Sequence, residues 1–358
     1  MSGNGTAARV QRQVISNVQV LRFFAAFSVL LRHSAYLLIP TTSVFWLFPW
    51  SAGVDIFFVI SGFIMARLTH GQFGKPGVAG TFLLRRAVRI VPPYWFFTTL
   101  MIAAALLASA EVRNATLQPA QILTSYGFIP WPRGDGELNP ILSQGWTLNY
   151  EAFFYLAFAA CLLFRRGLAL LAAGFAALVL LHPLVPKDWF ALYFLSAPII
   201  LEFLGGIGIA LLYLRGVRLP LWGSLLCAAC AVAAFLVLRQ VGLPEGRFLF
   251  FGVPAILVCA SLILRPEPEC PGPIRRALQA GGDASYTIYL SHTFTIHAAA
   301  ILWRRLGFEL PWLGVALEVA ISIAAALLFY RLAERPFTHL LERRFGMRPS
   351  RGVQAVAP

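Results

Sequence analysis

The chain has 358 residues, 59% of them hydrophobic and only 12% charged, with a formal net charge of +14. One soluble core cannot hide so large an apolar fraction, so the composition excludes an ordinary water-soluble domain and calls for lipid as solvent. The positive balance fits membrane topology and attraction to anionic lipid, without nucleic acid as a partner.

Apolar residues fall in blocks of about twenty, the length of a helix crossing a hydrocarbon layer roughly 30 Å thick, and they lack the alternation of a membrane barrel. The expected fold class is therefore an all-α polytopic membrane protein of about ten transmembrane helices. The spans are expected at 17–38, 50–68, 90–108, 142–163, 167–182, 190–214, 220–238, 248–264, 284–303 and 312–333. Residues 1–16 read as a cytoplasmic tail, 17–336 as the transmembrane domain with 109–141 as a periplasmic loop, and 337–358 as a basic cytoplasmic tail.

The first span follows Arg9 and Arg12 but precedes no small-residue cleavage site, which predicts an uncleaved helix. It carries Arg22 and His33, and ionisable residues inside a span are functional candidates by default. Eleven helical steps bring the two side chains back to within about 20° of one another, about 16 Å apart along the axis. Arg22 then lies near the inner end and His33 in the outer half. That face suits a ligand with an anionic head at the inner surface and a thin arm carrying a reactive end outward, which is the shape of acyl coenzyme A. Snorkelling of Arg22 and ordinary packing of His33 are the alternatives.

In the second span, Gly53-Val54-Asp55-Ile56-Phe57-Phe58 places Asp55 near the depth of His33, where it could orient the imidazole and fix its tautomer. Ser61 and Gly62 permit close helix approach. Arg85, Arg86 and Arg89 precede Pro92-Pro93-Tyr94 at the expected mouth of the third span. Arg86 and Arg89 share a helix face and form a guanidinium pair suited to phosphate, although inward anchoring alone also collects basic residues there. The prolines are expected to set the angle at which the chain enters that span.

The 109–141 connection, with Pro119, Pro130, Trp131, Pro132, Gly134 and Gly136, has the turn-rich composition of an ordered lid or loop. The fourth span opens Trp146-Thr147-Leu148-Asn149-Tyr150-Glu151. Glu151 is a second acid able to activate a hydroxyl or carry a proton away. Trp146 and Tyr150 could line a sugar entrance or belong to an aromatic belt. Glu202, before Gly205, Gly206 and Gly208, and His292, beside Ser285, Tyr286 and Tyr289, are further acceptor-side candidates. Glu334-Arg335-Pro336 reads as the stop of the last helix. The five cysteines read as structural thiols, and Cys227-Ala228-Ala229-Cys230 lacks the further ligands of a metal site, so no metal is expected.

Orientation follows from the basic residues. With the N-terminus inside, twenty Lys and Arg fall on the cytoplasmic side and seven on the other, with Arg22 and Arg32 inside the first span. Both termini are therefore expected in the cytoplasm.

Five segments in this order resemble the acyltransferase-3 family of bacterial membrane O-acyltransferases, most closely its exopolysaccharide acetyltransferase branch. They are Leu21-Arg22 through Arg32-His33, Gly53 to Phe58 with Ser61-Gly62-Phe63, Arg86-Ala87-Val88-Arg89 before Pro93-Tyr94, Trp146-Thr147-Leu148 leading to Glu151, and Ser285-Tyr286 through Leu290-Ser291-His292. The resemblance implies a bacterial inner-membrane enzyme that takes an acetyl group from cytoplasmic acetyl-CoA and places it on a glycan or lipid-linked sugar. By position it implies His33 with Arg22 as the essential pair and Arg86 and Arg89 near the donor. Arg85, Tyr94 and Ser61 complete the donor-side candidates. Some relatives carry an extra periplasmic domain, so partners in polysaccharide assembly are also implied. A sugar or lipid transporter using the buried acids and histidines as a proton path, and a structural subunit of an export complex, are the rival readings.

Overall fold

A computed structural model describes residues 15–107, 117–133, 136–241, 246–305, 307 and 310–347. The regular elements among the described residues are all helices, with no strand among them. In chain order the helices are α1 (Ser16–Leu38), α2 (Ala52–Leu68), α3 (Val78–Leu107), α4 (Pro119–Tyr126), α5 (Trp146–Leu162), α6 (Gly167–Leu181) and α7 (Phe190–Leu195). They continue as α8 (Leu201–Leu214), α9 (Leu221–Val241), α10 (Val253–Ile263), α11 (Pro273–Asp283), α12 (Ser285–Arg305), α13 (Pro311–Phe329) and α14 (Arg335–Arg344).

Six described segments are long and apolar enough to cross a membrane: Ser16–Leu38, Val44–Leu68, Val78–Leu107, Gly167–Leu184, Leu221–Arg239 and Pro311–Arg344. Pro198–Leu214 and Phe248–Ile263 are shorter apolar helices. The protein is thus a multi-pass membrane protein, helical in all the regular elements of its described residues. Residues 1–14, 108–116, 134–135 and 348–358 lie outside the described residues, and with them most of the expected N-terminal tail and parts of the 109–141 loop and the basic C-terminal tail.

Local chemistry explains several ends and breaks. Ile39 is extended because Pro40 follows it, which closes α1. Residues 190–214 do not form one helix. α7 ends at Leu195, and Ala197, held extended before Pro198, separates it from the turn that leads into α8.

Two prolines behave differently from expectation. Pro92 and Pro93 lie inside the 30-residue α3 and do not mark its mouth, so Arg85, Arg86 and Arg89 belong to the helix body. Their missing N–H groups leave the carbonyls of Val88 and Arg89 without helical donors, a defect a membrane helix tolerates when neighbours re-satisfy it. Pro336 does not stop the last helix either. A π turn at Tyr330–Glu334 takes up the irregularity and α14 continues to Arg344, so the helix outruns the expected boundary at 336.

The chain divides into two compact units, one from the described residues up to 70 together with 202–339, the other from 71–201 with 340–347. In the first unit α1 is central, packing against α2, α10, α11, α12 and α13. Ala25, Ala26 and Leu30 are fully buried on it. α2 meets α8 backbone to backbone: a Cβ at Gly62 would strike the Phe203 carbonyl, and one at Gly206 would strike that of Val59. Only glycine permits this approach, so packing is the role of the Gly62 and Gly206 positions.

In the second unit α3, α5 and α6 pack through Phe82, Tyr155, Phe158, Phe154 and Phe175. The loop before α5 is tied to α3. Tyr94 Oη donates to the Ser125 carbonyl at 3.0 Å, Trp95 Nε1 donates to that of Tyr126 at 3.0 Å, and the Ile141 N–H reaches Ser125 Oγ at 3.0 Å.

Candidate functional site

In the first unit, α1 carries both members of the expected pair. Arg22 is buried, and its guanidinium donates to Gln19 Oε1 at 2.9 Å. His33, eleven residues further along α1, is exposed. Its ring lies against that of His292 on α12, with centroids 5.0 Å apart and planes inclined by 58°. Arg32 and His297 are also within electrostatic reach of His33.

His292 is 1% exposed. Its Nδ1 is 2.6 Å from the Tyr289 carbonyl, while its buried Nε2 has no hydrogen-bond partner. A polar seam continues from these rings between α1, α12 and α13. Ser34 Oγ donates to the buried carboxylate of Glu318, and the hydroxyls of Thr295 and Ser322 meet at 2.7 Å.

Asp55 is not hydrogen-bonded to His33. Its Oδ2 accepts from Arg247 NH2 at 2.8 Å, and Glu202 lies beside it. Both acids are completely buried. Gly252 makes room for Glu202, since a Cβ there would stand 2.7 Å from Oε1. Two acids and one guanidinium thus form a charge cluster on α2, α8 and the start of the π turn at Phe248–Gly252. Ser61, a turn and a half along α2 from Asp55, is buried in the helix packing.

The second unit holds the remaining candidates. On α3, Arg86 and Arg89 are half-buried and Arg85 is exposed. Arg86 is within electrostatic reach of Tyr155, Arg89, Glu151 and Arg85, so Glu151 on α5 has a cationic neighbour in its own unit. Tyr94 is fully buried with its hydroxyl committed to Ser125, which makes it a tie for the loop. Tyr150 is likewise buried, its hydroxyl donating to the Phe194 carbonyl at 2.7 Å and its ring stacked on Phe194 at 4.2 Å. Trp146, one turn earlier, faces an open cleft of about 470 Å³ lined also by Gly136, Glu137, Asn139, Ser143 and Phe194. Among the described residues no cluster of His, Cys, Asp and Glu could hold a metal ion.

The first unit therefore offers an exposed imidazole backed by a buried one and a buried charge cluster, and the second, by itself, a guanidinium pair and a polar cleft with an aromatic wall. A family profile described as "Acyltransferase domain", that of acyltransferase-3, matches residues 15–331. The chain belongs to the acyltransferase-3 family. Proteins from other bacteria are similar to it along most of their length. ExoZ, an exopolysaccharide production protein of Rhizobium meliloti (strain 1021), is 36% identical over 315 residues, covering 86% of this chain and 94% of its own. The acyltransferase MdmB of Streptomyces mycarofaciens is 28% identical over 336 residues, 82% of each chain. Nodulation protein 10 of Rhizobium leguminosarum bv. viciae is 28% identical over 379 residues, 93% of this chain and 96% of its own. No solved structure matches significantly.

Sequence reasoning missed Arg247, His297 and Glu318. Glu318 carried a usable signal, a lone acid in the apolar helix α13. Arg247 carried none, because an arginine just before the expected span 248–264 reads as an ordinary flanking charge.

Proposed function

We propose that this acyltransferase-3 protein is an O-acyltransferase of the bacterial inner membrane, moving an acetyl or other short acyl group from cytoplasmic acyl-CoA to a hydroxyl of an exopolysaccharide, another surface glycan or a lipid-linked sugar. The observation that carries the reading is His33: a titratable ring exposed on a membrane helix, eleven residues from the buried Arg22. The exopolysaccharide production role in the name of ExoZ supports the acceptor class. Membership of an acyltransferase family favours transfer over the transport and structural readings.

In this proposal His33 removes the proton of the acceptor hydroxyl as its oxygen attacks the thioester carbonyl carbon. The C–S bond then breaks and the coenzyme leaves as a thiolate, which takes the proton from the imidazolium. If His33 instead takes the acyl group first, the kinetics become ping-pong. Arg86 and Arg89 are the proposed ligands of the donor's phosphates, with Arg85 adding charge. Trp146, with Glu137, Asn139 and Ser143 around it, supplies the mixed aromatic and polar wall that suits a sugar ring. Ten crossings with both termini in the cytoplasm complete the proposed topology. The test is label transfer from radiolabelled acetyl-CoA to the polysaccharide fraction in membranes holding the His33→Ala variant, where near-normal transfer would reject the reading.

A further inference from the structure

We propose that His292 is the positioning residue of His33. The inference rests on the reading of His33 as the base and assigns to a second histidine the orienting role that Asp55 does not fill. Asp55 is engaged by Arg247. The side chain that stands against His33 is His292, with ring centroids 5.0 Å apart.

The tautomer of His292 follows from its contacts. A carbonyl oxygen only accepts, so the 2.6 Å contact with Tyr289 requires the proton on Nδ1. In the neutral ring Nε2 is then a bare lone pair, and it is buried without a partner. A buried acceptor left unpaired costs about 1–3 kcal/mol, a cost a fold retains where the atom has a use. Of the two imidazoles within electrostatic reach, His33 and His297, the one whose ring stands against His292 is His33, which can supply an N–H. Its ring has two nitrogens, and a hydrogen bond from one of them to His292 Nε2 leaves the other as the lone pair that faces the acceptor hydroxyl.

A centroid spacing of 5.0 Å between rings whose nitrogens lie about 1.2 Å from centre leaves room for a direct bond after a small rotation. Such bonds are commonly long before substrate arrives and tighten in the reacting complex. Because His292 sits on α12 with its Nδ1 tied to its own helix, the acceptor is fixed before His33 turns to meet it. An uncharged partner also suits this depth, where a carboxylate would bring a further desolvation cost.

The test separates the two ends of the His292 ring. Asn can reproduce the Nδ1 donor to Tyr289 but has nothing at Nε2. Gln places an amide oxygen where Nε2 stands. Transfer from radiolabelled acetyl-CoA to the polysaccharide fraction is measured in membranes holding His292→Ala, His292→Gln and His292→Asn, with unfolding temperature recorded in detergent and His33→Ala run alongside. The expected result is that Ala and Asn lower kcat by about 10–100-fold at nearly unchanged KM for acetyl-CoA, while Gln stays within a few-fold of the parent. Full activity of Ala, rescue by Asn in place of Gln, or equal loss in Asn and Gln at unchanged unfolding temperature would each overturn the proposal. If His33→Ala is itself active, the reading of His33 as base has failed. If it is inactive while the His292 variants work, only the positioning role has failed.

Discussion

Arg247 NH2 holds Asp55 Oδ2 at 2.8 Å, a half-exposed cation reaching down to a completely buried anion, with side-chain exposures of 36% and 0%. The partners are 192 residues apart in sequence and join α2 to the segment before α10. Removing the guanidinium strands a buried charge next to Glu202, which costs more than the pair itself contributes. Since Arg247 is partly solvated, the cost is discounted to about 1–3 kcal/mol. Arg247→Ala is therefore expected to lower the unfolding temperature in detergent, and Asp55→Asn in the same chain to recover most of the loss. A double variant as unstable as the single one would contradict the coupling.

Because Asp55 serves that cluster, Asp55→Asn should change the yield of folded protein more than turnover. Transfer per folded molecule is expected to stay within a few-fold of the parent, measured against the monodisperse fraction. A drop of about 100-fold or more, the scale of a lost general-base contribution, would return Asp55 to the chemistry.

Close helix crossing was legible in the sequence at Gly62, and the expected consequence of filling its counterpart is steric. A Cβ at Gly206 meets the Val59 carbonyl, a rigid atom that cannot swing aside. Gly206→Ala should destabilise by about 1–3 kcal/mol through overpacking, read as a lower unfolding temperature.

Apolar blocks and glycine positions reveal helices and close contacts because both are local consequences of lipid and backbone sterics. Arg22 and His33 could be placed on one helix because a helix repeats by rule. The partners of those residues could not. His292 against His33, Glu318 against Ser34 and Arg247 against Asp55 are choices of tertiary packing across hundreds of residues, and periodicity gives a face without naming the neighbour. Pro92, Pro93 and Pro336 misled for a related reason. Rules drawn from water-soluble helices treat proline as a boundary, whereas α3 and the π turn before α14 absorb it.

Donor binding is expected to depend on the guanidinium pair of α3. Arg86→Ala and Arg89→Ala should each raise KM for acetyl-CoA by about 10-fold or more, the scale of one lost charge-assisted hydrogen bond, with a smaller effect when a coenzyme lacking its 3′-phosphate is the donor. Unchanged KM in both variants would remove them from the donor site.

Acceptor binding is expected to depend on Trp146 and not on Tyr150, whose hydroxyl and ring are already committed to Phe194. Trp146→Ala should raise the apparent KM for the acceptor glycan by about tenfold, equivalent to ~1.4 kcal/mol, at unchanged KM for acetyl-CoA. Tyr150→Phe should leave the acceptor KM unchanged.

The most direct measurement is acyl transfer by His33→Ala at normal membrane abundance, followed as label passing from radiolabelled acetyl-CoA into surface polysaccharide. The expected result is a loss of about 100-fold to 10,000-fold, the range for removal of a general base. Transfer within a few-fold of the parent chain would contradict a catalytic role for that imidazole.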